Sequence, residues 1–184
     1  DQMSLDKASL RNLEISETLY DKNIKGSLLG VLDKTKTAMG ARLIKKMLRE
    51  PLNDADKIND RLDAVEEIYI DPLLENDLVE SLKKIYDFER LAARIATGTA
   101  NGKDLIALRN SIAVLPNIKA DLSSSGSKLL KDIHDGISNL DDIADLITQS
   151  ISENAGFTIK EGGLIIDGFS EELDKLKASI KDAK

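Results

Sequence analysis

The side chains that could perform chemistry in this 184-residue chain are few in type, because it has one His and no Cys. His134 lies in a segment with helical spacing, where we expect an ordinary, partly exposed histidine. Adjacent carboxylates, as in Asp141–Asp142 and Glu171–Glu172, point in different directions on a helix and are typical of helix starts. No Ser lies in the Gly-x-Ser-x-Gly sequence of a hydrolase nucleophile. We therefore predict that the chain is not itself an enzyme.

The segment from Gly98 to Asp104 has some features of a phosphate-binding loop. Such a loop has four residues between its glycines, so that successive N–H groups surround a phosphate, and a Ser or Thr after its Lys. Here three residues separate Gly98 from Gly102, and the acidic Asp104 follows Lys103. Because an aspartate would repel the phosphate, we predict instead a joint between two helices, with Asn101 capping the second helix.

One basic segment departs from the acidic average of the chain, whose formal net charge is −7. It has no Asp or Glu between residues 34 and 49. Its six basic residues, which we call the basic stripe, are Lys34, Lys36, Arg42, Lys45, Lys46 and Arg49. One interpretation is a solvated face that pairs with the acidic helix predicted at residues 54–67. The other is a docking surface for another domain or for DNA phosphates.

Helices are predicted to position these residues, because apolar side chains recur at intervals of three and four along most of the chain. We predict helix N-caps at Ser27 and Thr37, whose side-chain oxygens can accept hydrogen bonds from free backbone N–H groups. The aliphatic side chains that we expect to form helix–helix contacts include Leu62, Val65, Leu91 and Ile95.

The composition favours an all-α fold, mainly a helical bundle, with an aliphatic core. Hydrophobic residues make up 41% of the chain, but aromatic residues only 3%, and there are only three prolines. No apolar run approaches the roughly 18 residues of a membrane span, so we expect a soluble, cytoplasmic protein without a membrane partner. The net negative charge also disfavours autonomous binding to nucleic acid.

Along the chain we predict four segments. An extended N-terminal segment covers residues 1–26, a first helical group covers 27–122, a loop covers 123–127, and a second helical group covers 128–184. Within the last group, two short β-like runs, at residues 157–159 and 164–166, flank a Gly-containing turn. They predict a small β-hairpin at residues 157–166 near the C-terminal end.

Several long motifs, in a fixed order along nearly the whole chain, carry a family resemblance. They are MSLDKASLRNLEI from Met3, GSLLGVLDKTKTAMGAR from Gly26, INDRLDAV from Ile58, DFERLAARI from Asp87, ANGKDL from Ala100 and EGGLIIDGFSEELD from Glu161. Together they resemble the core (lever) domain of bacterial DNA mismatch-repair proteins of the MutS family. Gly102 and Ala38 depart from the family, which often has Pro at these helix starts.

The resemblance implies that the chain is an excised segment, ending in a helix that leads to a clamp. Its implied role is structural, a lever that transmits conformational change between a DNA-binding clamp and an ATPase domain, both outside this chain. Helix faces that meet the absent half of the core should then leave an exposed apolar patch. The alternative is a free-standing helical protein-interaction module unrelated to repair.

The resemblance also implies partners and cofactors. The partners would be the connector, clamp and ATPase domains of a homodimeric parent protein, with mismatched DNA bound only in the full-length context. ATP and Mg²⁺ would belong to the ATPase domain, so we expect no cofactor and no metal in this chain.

Overall fold

The computed structural model describes residues 2–156 and 162–182, and this part of the chain forms eleven α-helices and no β-strand. The helices are α1 (Lys7–Asn12), α2 (Leu28–Leu32), α3 (Ala38–Arg49), α4 (Ala55–Ile70), α5 (Pro72–Leu82), α6 (Phe88–Ala96), α7 (Gly102–Ile112), α8 (Leu115–Asp121), α9 (Lys128–Gly136), α10 (Asp141–Ser150) and α11 (Glu171–Asp182). None of the helices in the two described ranges is long and apolar enough to cross a membrane.

The helices belong to two compact units whose segments alternate along the chain. The first unit contains the residues up to Asp87 together with Leu115–Ser138, and the second contains Phe88–Val114 together with the residues from Asn139 onward. This division follows contacts in space, and it differs from the predicted grouping by chain order on either side of the loop at 123–127.

In the first unit, α4 contacts both α5 and α9, and α8 packs on α5. Asp54 caps α4 and Asp71 caps α5, each by accepting hydrogen bonds from two backbone N–H groups of the following turn. Pro72 follows at a first-turn position where its missing N–H costs nothing. The buried hydrophobic side chains of this unit are Ile15, Leu29, Ala64, Ile118, Leu122 and Leu130.

The N-terminal segment of the first unit, predicted as extended, contains the short helix α1. Further along, the predicted N-cap at Ser27 is confirmed, because its buried hydroxyl accepts a hydrogen bond from the N–H of Gly30 and donates one to the carbonyl of Ile24. A Cβ added at Gly30 would overlap the carbonyl oxygen of Ile24. Only glycine therefore allows α2 to lie this close to the preceding loop.

In the second unit, α7 contacts both α6 and α10. Leu91 of α6 and Ile112 of α7 are buried, and a cluster of Ile147, Ile151 and Ala155 packs against partly buried hydrophobic side chains. Those partly buried side chains are Leu105, Ile106, Leu108, Leu164 and Ile165. The core is thus aliphatic, as the composition predicts.

The predicted β-hairpin is wrong. The run Leu164–Ile166 pairs with the residues that end α10, through one isolated antiparallel bridge between Ile165 and Ile151, and not as a strand. Leu164 packs in the core of the second unit, where α7 and α10 supply its apolar neighbours. Packing against this core accounts for the partly buried Leu164 and Ile165, whereas Ile166 is exposed. The first predicted run, at 157–159, lies outside the described residues.

Of the four side chains expected to form helix–helix contacts, Leu62, Val65 and Ile95 are exposed in the described part of the chain. Leu62 is 58% exposed and Val65 is 63% exposed, whereas Leu91 is buried. Both lie on one face of α4 with Ile58 and Tyr69, at intervals of three and four residues, and all four side chains are exposed. We call this exposed face the α4 apolar row.

Candidate functional site

The basic stripe is carried by α3 and by the loop before it. Thr37 caps α3 as predicted, since its hydroxyl accepts a hydrogen bond from the N–H of Gly40 at 2.9 Å. Arg42, Lys45, Lys46 and Arg49 then recur at helical intervals, so they share one side of α3. The six side chains of the stripe are all exposed.

Arg42 differs from the rest of the stripe because it forms a two-pronged ion pair. Its Nη1 and Nη2 atoms donate to Oδ2 and Oδ1 of Asp87, at 2.8 and 2.7 Å. Asp87 is the less exposed partner, with 18% of its side chain accessible against 48% for Arg42. Arg42 thus fixes α3 to the end of the segment that follows α5, and its charge is largely neutralised.

The predicted acidic helix, now α4, directs two of its carboxylates to α9. Asp60 pairs with Lys128 at 2.8 Å, and Glu67 accepts hydrogen bonds from the backbone N–H groups of Gly126 and Ser127. The hydrogen bond and charge of Asp60 raise the pKa of Lys128, and the two backbone N–H groups lower the pKa of Glu67. These carboxylates stabilise the start of α9 and not the basic stripe.

An open groove of about 290 Å³ lies between α1 and α3. Lys7 and Arg11 of α1 face Lys45 and Arg49 of α3 across it, and Glu17 is the one carboxylate among its lining residues. We call it the α1–α3 groove. Two residues of the stripe, Lys45 and Arg49, therefore line this groove together with Lys7 and Arg11, which are not part of the stripe.

The sequence contained a signal for Lys7 and Arg11 that the prediction of an extended segment missed. Asp6 is a favourable N-cap, and its carboxylate accepts a hydrogen bond from the N–H of Ser9, which lowers the pKa of Asp6. A helix starting there places residues four apart on one face, so Lys7 and Arg11 lie side by side.

The segment that resembles a phosphate loop is the joint between α6 and α7, as predicted. Asn101 and Asp104 form a reciprocal capping box, each side chain accepting a hydrogen bond from the other's backbone N–H at 2.9 Å. Arg94 binds the same carboxylate at 3.0 Å. Asp104 therefore acts as a helix cap with a bound guanidinium, and its negative charge disfavours an anion at this helix start.

The remaining titratable residues include the single histidine, and no metal-binding cluster is found among the described residues. His134 contacts the carboxylate of its neighbour Asp135 at 2.8 Å. Within the same residues, no group of three or more His, Asp or Glu side chains is placed to hold a metal ion. The geometry found there is that of helix caps, interhelical ion pairs and one basic groove.

Comparison with known proteins bears directly on this arrangement. The family described as MutS domain III matches residues 8–183. The chain is 46% identical over its full length to the DNA mismatch repair protein MutS of Clostridium perfringens, and 47% identical over its full length to the MutS proteins of Alkaliphilus oremlandii and Halothermothrix orenii. The chain belongs to the MutS domain III family.

This MutS domain III chain spans about a fifth of the length of the curated relatives it matches, 20% or 21% of each of those three proteins. The motifs of the resemblance lie at the contacts described above. The first contains Lys7 and Arg11 of the groove, the second contains Ser27 and Gly30, and the fourth begins at Asp87, the partner of a stripe arginine. MutS domain III membership also argues against an interaction module unrelated to repair.

Proposed function

We propose that this chain acts as a mechanical element of a longer mismatch-repair protein, passing conformational change between a DNA-binding clamp and an ATPase domain. The observation that carries the proposal is that two points on α4 are attached to the start of α9. Lys128 binds Asp60, and seven residues further along α4, Glu67 binds the backbone at Gly126 and Ser127. A helix of 16 residues is about 24 Å long and rigid along its axis when packed in this way.

Coupling of this kind needs an element that responds as a unit to events at both of its ends. Two points on α4 fixed to the start of α9 limit sliding of one helix along the other, since sliding would break charged hydrogen bonds. Such an element also needs a surface on which another domain can bind. The exposed α4 apolar row offers a surface of this kind. Family membership supports the setting, a MutS protein, in which such a role makes sense.

The test uses a full-length MutS protein containing this chain. We expect the double variant Glu67→Ala/Lys128→Glu to reduce the stimulation of ATP turnover by mismatched DNA by about threefold or more, with basal turnover unchanged. Glu66→Ala, a neighbouring carboxylate on the same helix, is the matched control and should leave the stimulation unchanged. If the double variant is folded and stimulated normally, the lever role fails.

Four residues of the basic stripe lie outside the groove, and one of them, Arg42, binds Asp87. We further propose that the other three, Lys34, Lys36 and Lys46, face a partner domain or DNA phosphates in the longer protein. Reversing these three lysines to Glu should weaken DNA-stimulated turnover. Duplex DNA should bind the isolated chain negligibly at moderate salt, because its formal net charge is −7. Strong, salt-dependent binding by the isolated chain that is lost when the three lysines are reversed would instead show that this surface binds DNA without the other domains.

The remaining features of the proposal follow from the MutS setting. We propose a cytoplasmic, homodimeric parent protein whose connector, clamp and ATPase domains are the partners of this chain. ATP and Mg²⁺ would act in the ATPase domain, and this chain would contribute no catalytic group.

A further inference from the structure

We propose that the α1–α3 groove binds an acidic peptide segment that carries apolar side chains between its carboxylates. This inference goes beyond the lever role and does not depend on it. It rests on the charge of the groove, on its two apolar positions and on a wall that is already formed.

The charge of the groove is the first observation. Lys7, Arg11, Lys45 and Arg49 line it from two helices, and none of them forms an ion pair with another described residue. Four cations and the single carboxylate of Glu17 leave a strongly positive surface on a negative chain. Such a surface attracts a partner with clustered negative charge.

The groove continues past Arg11 and Glu17 into a second depression of about 190 Å³, which adds Lys22 and Leu19 to the lining. Leu10 lies in the first depression. Arg11 and Glu17 line both depressions, and each depression adds one leucine, Leu10 in the first and Leu19 in the second. A ligand that follows the whole groove has to offer apolar groups as well as anions.

This pattern favours a peptide over a nucleic acid. A phosphodiester backbone offers oxygen acceptors but few donors, so it would place phosphates against the carboxylate of Glu17. A peptide can supply carboxylates to the cations, backbone N–H groups to Glu17 and aliphatic side chains to Leu10 and Leu19. All three requirements of the lining are then met by one molecule.

The wall of the groove is held in place by its own hydrogen bonds. The carboxylate of Glu14 accepts from the N–H of Leu19 at 2.7 Å, and Thr18 exchanges hydrogen bonds with Asn23. The backbone of Ile15 and its neighbour is bonded to the start of α2. A preformed wall lowers the entropy cost of binding.

The experiment measures the fluorescence anisotropy of a labelled peptide of alternating Glu and Leu, titrated with the 184-residue chain. We expect saturable binding that weakens as salt is raised. Lys45→Glu/Arg49→Glu should weaken it about tenfold or more. The matched control Lys34→Glu/Lys46→Glu makes the same charge change on exposed residues that do not line the groove, and it should change the affinity less than about twofold.

Two further arms distinguish the ligand class. A labelled peptide of alternating Glu and Ser should bind more weakly than the Glu and Leu peptide, and labelled duplex DNA should bind more weakly than either. Lys45→Gln/Arg49→Gln, with circular dichroism of both double variants, separates lost binding from lost folding. Equal losses in the groove variant and its control would overturn the proposal, and so would duplex DNA that binds more tightly than the peptides and is released by the groove variant.

Discussion

The carboxylate of Glu67 in α4 caps the start of α9 at Ser127, with 2.8 Å between Oε2 of Glu67 and the backbone nitrogen of Ser127. Ser127 occupies the N-cap position of α9, but its own side chain makes no capping hydrogen bond. A residue of another helix therefore does what a local cap usually does. The same contact fixes the position of α9 along α4, so local helix stability and helix packing depend on one side chain.

Replacing Glu67 with Ala should lower the free energy of unfolding by about 1–2 kcal/mol, because two backbone N–H groups at the start of α9 lose their acceptor. Urea unfolding followed by circular dichroism measures the change. Glu66→Ala removes an exposed carboxylate one residue away and should stay within about 0.5 kcal/mol of the original chain. Equal losses in the two variants would mean that the cap contributes no stability.

The contribution of Glu67 should depend on pH. Hydrogen bonds from the N–H groups of Ser127 and Gly126 lower the pKa of Glu67 from its ordinary value of 4.5. A lowered carboxylate pKa stabilises the fold above the unfolded-state value, and that contribution is lost as pH falls through the folded-state value. The stability difference between the original chain and Glu67→Gln should therefore be largest near neutral pH and shrink below 4.5. A difference that is constant with pH would contradict this.

Gly30→Ala should destabilise the first unit by about 2 kcal/mol or more, since the new methyl group would overlap the carbonyl oxygen of Ile24. Thermal unfolding gives the comparison. Gly136→Ala is the control, because the space around Gly136 in α9 is open and alanine favours a helix. We expect this control to be neutral or slightly stabilising, and a loss as large as that of Gly30→Ala would show that the overlap is not the cause.

A double-mutant cycle on Arg42 and Asp87 should give a coupling energy of about 1 kcal/mol, at the upper end for a partly exposed pair, because the contact is two-pronged. Arg42→Ala, Asp87→Ala and the double variant supply the three unfolding free energies. The corresponding cycle on Lys46 and Asp87 should give a value near zero. A vanishing coupling for Arg42 would mean that solvent screens the pair completely.

The helices and their local caps were accessible from the sequence, because they depend on neighbouring residues. Ser27, Thr37 and Asn101 each accept a hydrogen bond from a backbone N–H three residues ahead, which is a pattern that the sequence shows directly. The hairpin prediction failed because a short continuous apolar run such as Leu164–Ile166 can pack against helices as well as form a strand. Leu164 lies against the cluster of Ile147, Ile151 and Ala155 and next to Gly102 of α7, and the sequence does not show these contacts.

The candidate site was predictable only in part. The stripe is visible as a run of basic residues without acids, but the sequence does not show that Asp87 neutralises Arg42 over a separation of 45 residues. Nor does it show that Lys45 and Arg49 lie opposite α1. Such pairings depend on how helices are placed in space, and helical periodicity contains no information about that.

The alternation of the two units along the chain determines the order in which they can be completed during synthesis. Glu67 is made 60 residues before Ser127, and α6 and α7 of the second unit are made in between. Until Leu115–Ser138 has left the ribosome, α4 has no α9 to bind and α5 has no α8. The first unit can therefore be completed only after part of the second unit has been synthesised. A chain truncated before Leu115 would leave α4 and α5 without these two partners.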